Sequence, residues 1–94
     1  MTDTASFEDA IRETVKDIPP GEIATYGEVA AESGFPGAAR AVGNLLRATT
    51  GMPWWRVIAA NGRLVPGNEV EHARQLRAEG VPIQNGRVVM SRAR

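Results

Sequence analysis

The chain contains no cysteine and only one histidine, His72, among its 94 residues. Without a thiol it can form no disulfide, no thiolate metal site and no sulfur nucleophile. One imidazole is too few for a zinc site and argues against a histidine-based proton relay, so no metal and no cofactor are expected. No apolar run approaches the ~18 residues of a membrane span, and the opening MTDTASFEDA is acidic, unlike a signal peptide. A cytoplasmic protein that does not engage the membrane is expected. Net charge is lacking too: 11 basic residues balance 11 acidic ones.

That balance hides an asymmetry. Residues 1–34 hold eight acids against Arg12 and Lys16, whereas residues 35–94 hold nine arginines against Glu69, Glu71 and Glu79. A segment of charge −6 is therefore joined to one of +6, and a basic face can exist on a neutral protein. Arginine suits bidentate phosphate contacts. Codon bias could account for arginine in place of lysine, but not for the separation of sign. The hydrophobic fraction of 43% with well-mixed charges implies a folded chain. Its length implies one domain, residues 1–94, with a modest core and little room for a deep enclosed cavity.

Periodicity predicts a helix from Ser6, as N-cap, to Lys16, with Phe7, Ile11, Val15 and Ile18 on one stripe and IPPGE as its stop. Thr25 and Glu28 have the spacing of a capping box, which starts a second helix facing the core through Val29 and Ala30 and ending before Gly34. A third helix is expected over Ala38 to Ala48, with Val42, Leu45 and Thr49 on one side and Leu46 beside them. On its opposite side Arg40, Gly43, Asn44 and Arg47 share a face. Two short helices joined by a glycine-containing turn read as a helix-turn-helix. Glycine inside a helix costs ~1 kcal/mol against alanine, so Gly43 requires a reason: close approach of another backbone, or packing against a neighbouring helix.

WRVIAANGRLV then reads as a hairpin turning at Asn61-Gly62, followed by a helix capped by Asn68 with Val70, Ala73 and Leu76 inward. His72 is expected on that helix's surface. VPIQNGRVVM is a second hairpin, turning at Asn85-Gly86. The order is that of a winged helix.

Four segments, IPPGEIATYGEVA, GFPGAARAVGNLL, MPWWRVIAANG and LRAEG, together resemble the DNA-binding domain of the O6-alkylguanine-DNA alkyltransferases. They are most similar to the alkyltransferase-like proteins, in which tryptophan replaces the acceptor cysteine. The resemblance runs from about residue 7 to residue 90. It implies a mainly α fold with short β-hairpins, a winged-helix or helix-turn-helix domain like the C-terminal domain of the transferases.

Where the transferases carry proline-cysteine-histidine-arginine-valine, this chain has Pro53, Trp54, Trp55, Arg56 and Val57. Alkyl transfer needs a thiolate, and an indole N–H is only a donor, so no catalytic residue and no transfer activity are expected. The resemblance assigns DNA binding to Tyr26, Ala38, Ala39, Arg40, Ala41, Gly43 and Arg47. Tyr26 would help rotate a nucleotide out of the stack, Arg40 would fill the gap, and the small residues would let the helix lie in the minor groove. A lesion pocket of Tyr26, Trp54, Trp55, Val65, Pro66 and Gly67 is implied, with Trp54 as its floor; the alternative for Trp54 is core filling. The implied partners are double-stranded DNA containing O6-alkylguanine and nucleotide excision repair proteins, engaged by a monomer.

Departures from the family pattern matter. Trp55 stands where the transferases have histidine, so Glu79, which matches the relay acid, needs another partner in a helical turn whose dipole opposes it. The Trp55 indole could donate to it; a plain exposed glutamate is the alternative. Arg56 is expected to tie its strand to nearby backbone or acids. The segment from Arg47 to Pro53 is shorter than in the transferases, the loop RLVPGN differs, and their separate N-terminal domain is expected to be absent. Two other readings compete. A winged-helix regulator of undamaged DNA would need polar groups on the recognition helix, where Asn44 is the one bidentate candidate. An interaction module would need exposed tryptophans.

Overall fold

The computed structural model describes residues 3–89, with side chains from Ser6 onward. Met90, Arg92 and Arg94, which belong to the second hairpin and the basic segment as read from the sequence, lie outside the described residues. The elements are α1 (Asp3–Lys16), β1 (Ala24–Thr25), α2 (Tyr26–Glu32), α3 (Ala39–Ala48), a 3-10 turn (Trp54–Arg56), β2 (Val57–Ile58), α4 (Glu69–Ala78), β3 (Ile83–Gln84) and β4 (Arg87–Val88).

Helix α1 begins before the expected cap. No breaker precedes Ser6, so the helix extends back to Asp3 and Ser6 is an exposed position inside it. Ile11 and Val15 are fully buried, and Phe7 meets Phe35 edge-on with centroids 5.0 Å apart. The capping box at α2 is complete. Thr25 Oγ1 accepts from the Glu28 N–H at 3.0 Å, and Glu28 Oε1 accepts from the Thr25 N–H at 2.8 Å; such a cap contributes about 1 kcal/mol. Past Glu32 the chain turns through Gly34 at φ +94°, with Phe35 N–H donating back to Ala30 at 2.8 Å. This left-handed turn lets α3 pack on α2 through Val42 and Leu46.

The first expected hairpin is not formed. Val57 and Ile58 are both fully buried, and they pair in parallel with β1, Ala24 opposite Val57 and Thr25 opposite Ile58. The turn before Gly62 does exist, closed by Gly62 N–H to Ala59 O at 2.9 Å, with Gly62 at φ +83°. The chain leaving it does not fold back on β2; Arg63 makes an isolated bridge to Arg87 instead. An Asn-Gly signal fixes a turn but not the strand that follows it. The second hairpin is formed, Ile83 opposite Val88 and Gln84 opposite Arg87, around Asn85 at φ 54° and Gly86 at φ 74°.

The β1–β2 pair divides the core. Ala24 and Val57 belong to a cluster with Ile11, Val15, Val29, Val42 and Met52. Their neighbours Ile23 and Ile58 belong to a second cluster with Leu64, Ala73, Leu76, Val81 and Val88. Alternation along extended backbone sends adjacent side chains to opposite sides. On α4 the inward face is His72, Ala73 and Leu76, whereas Val70 is 86% exposed. Val70 as an inward residue and His72 as a surface one are thus corrected, while Ala73 and Leu76 are buried as expected. Residues 72, 73 and 76 share a face, and Val70 lies off it. Among the described residues no helix is long and apolar enough to cross a membrane, and no three His, Cys, Asp or Glu side chains form a metal cluster.

Candidate functional site

A partly open cavity of about 220 Å³ lies beside α3. It is lined by Tyr26, Gly43, Leu46, Arg47, Thr49, Trp54, Val65 and Asn68. The helix-turn-helix supplies Tyr26 at the start of α2 and one face of α3. The 3-10 turn supplies Trp54, and the loop before α4 supplies Val65 and Asn68. Tyr26 and Gly43 adjoin: a Cβ built on Gly43 would stand 3.8 Å from Tyr26 Cε1, ordinary contact. The fold therefore does not demand glycine here, and neighbouring protein backbone does not approach it.

Burial pushes the Tyr26 phenol above its usual pKa, and the Arg47 charge partly opposes this. The phenol is thus a neutral donor at physiological pH. Arg47 is exposed and donates from Nη2 to Asn44 Oδ1 at 2.6 Å. Arg40 is exposed and makes no hydrogen bond or ion pair among the described residues. Ala41 is exposed beside it, and Ala38 and Ala39 are half-buried at the helix start.

The two tryptophans have different surroundings. Trp54 is half-buried, packs against the first core cluster and lines the cavity. Its ring lies 5.0 Å from that of His72, tilted by 57°. Trp55 turns toward the second cluster, with its ring edge-on to Trp54 at 5.9 Å, and does not line this cavity. Its Nε1 donates to Glu79 Oε2 at 2.8 Å.

Glu79 is the centre of a compact network. Arg56 Nη2 donates to Glu79 Oε2 at 2.7 Å and Arg56 Nη1 to the Ile18 carbonyl at 2.9 Å. The Gly21 N–H donates to Glu79 Oε1 at 3.0 Å, and the Arg56 guanidinium sits 5.5 Å from the Trp55 ring centre. Burial raises the Glu79 pKa, but the bonds from Arg56, Trp55 and Gly21 with the Arg56 charge prevail and hold the carboxyl at about 2. The compensating partner expected for this C-terminal glutamate is therefore Arg56, and the indole bond is present as well. These contacts hold the 3-10 turn against the C-terminus of α4 and the Pro19–Gly21 corner.

Pro66 and Gly67 are exposed and do not line the cavity; Val65 does. The turn closed by Asn68 N–H to Val65 O at 3.0 Å carries the two intervening residues outward. Asn68 occupies the N-cap position of α4, but its side chain makes no capping bond and borders the cavity. Sequence reading assigned it to capping alone. His72 was also missed as part of this region. It is fully buried, with Nδ1 accepting from the Val65 N–H at 3.0 Å and Nε2 2.9 Å from the Trp55 carbonyl. A histidine four residues after the cap, on the same side as the loop, was the available signal.

Residues 6–81 match the family model described as 6-O-methylguanine DNA methyltransferase, DNA binding domain. A DNA base-flipping protein of Vibrio parahaemolyticus is 39% identical over 75 residues, covering 73% of this chain and 74% of the relative. Alkyltransferase-like protein 1 of Schizosaccharomyces pombe is 34% identical over 84 residues, covering 82% and 78%. Among solved structures, S. pombe Atl1 in complex with damaged DNA containing O6-carboxymethylguanine superimposes with a TM-score of 0.79 at 33% identity, over 89% of this chain and 82% of that one.

Proposed function

The chain belongs to the family of the 6-O-methylguanine DNA methyltransferase DNA-binding domain, in its alkyltransferase-like branch, and we propose that it recognises alkylated DNA without repairing it chemically. It binds duplex DNA through α2 and α3, admits an extruded O6-alkylguanine into the cavity beside α3, and marks the lesion for nucleotide excision repair. The observation that carries this reading is Trp54 at the cavity in a chain that has no cysteine. An indole can stack on a base but cannot accept an alkyl group as a thiolate does.

The following features support the proposed binding step. The small residues Ala39, Ala41 and Gly43 let α3 approach the groove, and the exposed Arg40 side chain can enter the stack where a base has left. Arg47 reaches phosphate. Extrusion costs a few kcal/mol, least at a poorly paired base, and aromatic stacking returns ~1–3 kcal/mol per base. Tyr26 offers a phenolic donor and Trp54 an apolar, polarizable wall to the added alkyl group.

The test compares affinity for matched duplexes with and without a single O6-methylguanine, at stated salt. Preference for the lesion, with no gain in protein mass of one methyl group, is expected. Equal affinity for both duplexes, or a strong preference for one undamaged site, would instead indicate a sequence-reading regulator.

A further inference from the structure

His72 joins two walls of the cavity. Its Nδ1 accepts from the backbone N–H of Val65, and an amide N–H can only donate, so this nitrogen carries a lone pair. Its Nε2 faces the Trp55 carbonyl, which can only accept, so the single proton sits on Nε2. The tautomer is thereby set by two backbone groups. The same ring packs against Trp54, and both Trp54 and Val65 line the cavity.

We propose that His72 is the positioning residue of the cavity: it sets the separation of the Val65 rim from the Trp54 floor, and its protonation releases the rim. The consequence for DNA rests on the cavity admitting a base, as proposed above; the clamp itself is a property of the free protein. A second proton would have to go on Nδ1, where it would point at the Val65 N–H. Two donors would then face each other and the rim amide would lose its partner. Burial, opposed by the bond to the Trp55 carbonyl, lowers the imidazole pKa from its ordinary value, which favours the neutral ring and the closed clamp.

Among the described residues, no surrounding charged or titratable group bonds to the ring. Arg56, next to Trp55, is paired with Glu79. Tyr26 and Arg47 also line the cavity, and Arg63 is exposed at the start of the rim loop. On α4 itself, Glu69 is exposed and Glu71 is paired with Arg74. None of them is hydrogen-bonded to the ring.

Two variants separate clamping from space filling. In His72→Gln an amide oxygen and an amide N–H can replace Nδ1 and Nε2–H; in His72→Leu the volume is filled but both backbone groups lose their partner. Hydrogen exchange at the Val65 amide, corrected for intrinsic rate, and the titration of His72 by NMR are followed in the free protein. Affinities for duplexes with and without O6-methylguanine are measured beside them. In the wild type, Val65 protection should fall as His72 protonates. His72→Gln should keep Val65 protected without that pH response and keep lesion affinity within about threefold, whereas His72→Leu should lose roughly tenfold with undamaged-duplex binding unchanged.

Val65 exchange indifferent to the titration, or wild-type lesion affinity in His72→Leu, would overturn the proposal. If His72→Leu does not fold, His72→Gln decides, since an unprotected Val65 amide there overturns it equally. Val65 exchange that tracks His72 in a wild-type protein with no lesion preference supports the clamp and refutes the base-admitting reading instead.

Discussion

Replacing Glu79 by glutamine should destabilise the fold by an amount that depends on pH. The carboxylate accepts from Arg56, Trp55 and the Gly21 backbone, and its pKa is held at about 2 against an ordinary value of 4.5. At about 1.4 kcal/mol per pKa unit, this displacement corresponds to at most about 3.5 kcal/mol at neutral pH. The Arg56 and Glu79 side chains are 13% and 14% exposed, so water screens part of the interaction. Glutamine keeps the shape and one acceptor but leaves Arg56 without its counter-charge, and about 2 kcal/mol is expected. For a domain of this size that is a fall in Tm of about 8–16 °C. The sign follows from the depressed pKa: the stabilisation is fully present above pH 4.5 and is lost as pH falls toward 2. Urea denaturation followed by far-UV circular dichroism should therefore show a gap between wild type and Glu79→Gln that is constant near neutrality and closes in acid. Equal midpoints at neutral pH would refute the reasoning, as would a gap undiminished at about pH 3.

Four further outcomes are expected. Arg40→Ala should leave stability unchanged within about 0.5 kcal/mol and reduce lesion preference at least about tenfold, read by competition between damaged and undamaged duplexes. Trp54→Ala should weaken lesion binding by ~1–3 kcal/mol and also lower the denaturation midpoint, since the ring packs on the first core cluster. Gly43→Ala should raise stability by ~0.5–1 kcal/mol, because the added methyl makes only ordinary contact with Tyr26, yet weaken binding to DNA; a variant that is both more stable and an equally good binder would show that this position does not meet the duplex closely. Val70→Lys, at a position 86% exposed, should change the denaturation midpoint by less than about 0.5 kcal/mol.

Local signals were legible where the chemistry is local. The Thr25–Glu28 capping box, the stop at Pro19 and Pro20, and the Asn85-Gly86 hairpin each depend on a few adjacent residues, and each is formed. The Asn61-Gly62 pattern misled because β2 is covered on both sides and pairs with residues far earlier in the chain. Such pairing leaves no trace in a short window. For α4, hydrophobicity alone favoured Val70 as an inward residue over His72. What decided was that backbone partners exist for both imidazole nitrogens, so the polar ring can be buried without an unsatisfied group. The Trp55–Glu79 bond was legible only as one of two readings, beside a plain exposed glutamate. The part played by Asn68 was not, because a residue that occupies an N-cap position looks fully explained by it.

The alternation along the β1–β2 seam carries an evolutionary consequence. Adjacent residues there serve different cores, and the tryptophans just upstream diverge in the same way, one toward the cavity and the other toward Glu79. Parity is thus part of the inheritance of this segment. A one-codon insertion or deletion between Pro53 and Ile58 would not merely lengthen or shorten a loop; it would exchange the destinations of everything that follows. Point substitutions can be sampled here one at a time, while changes of length should be purged, so the spacing should outlast the identities of the residues that occupy it.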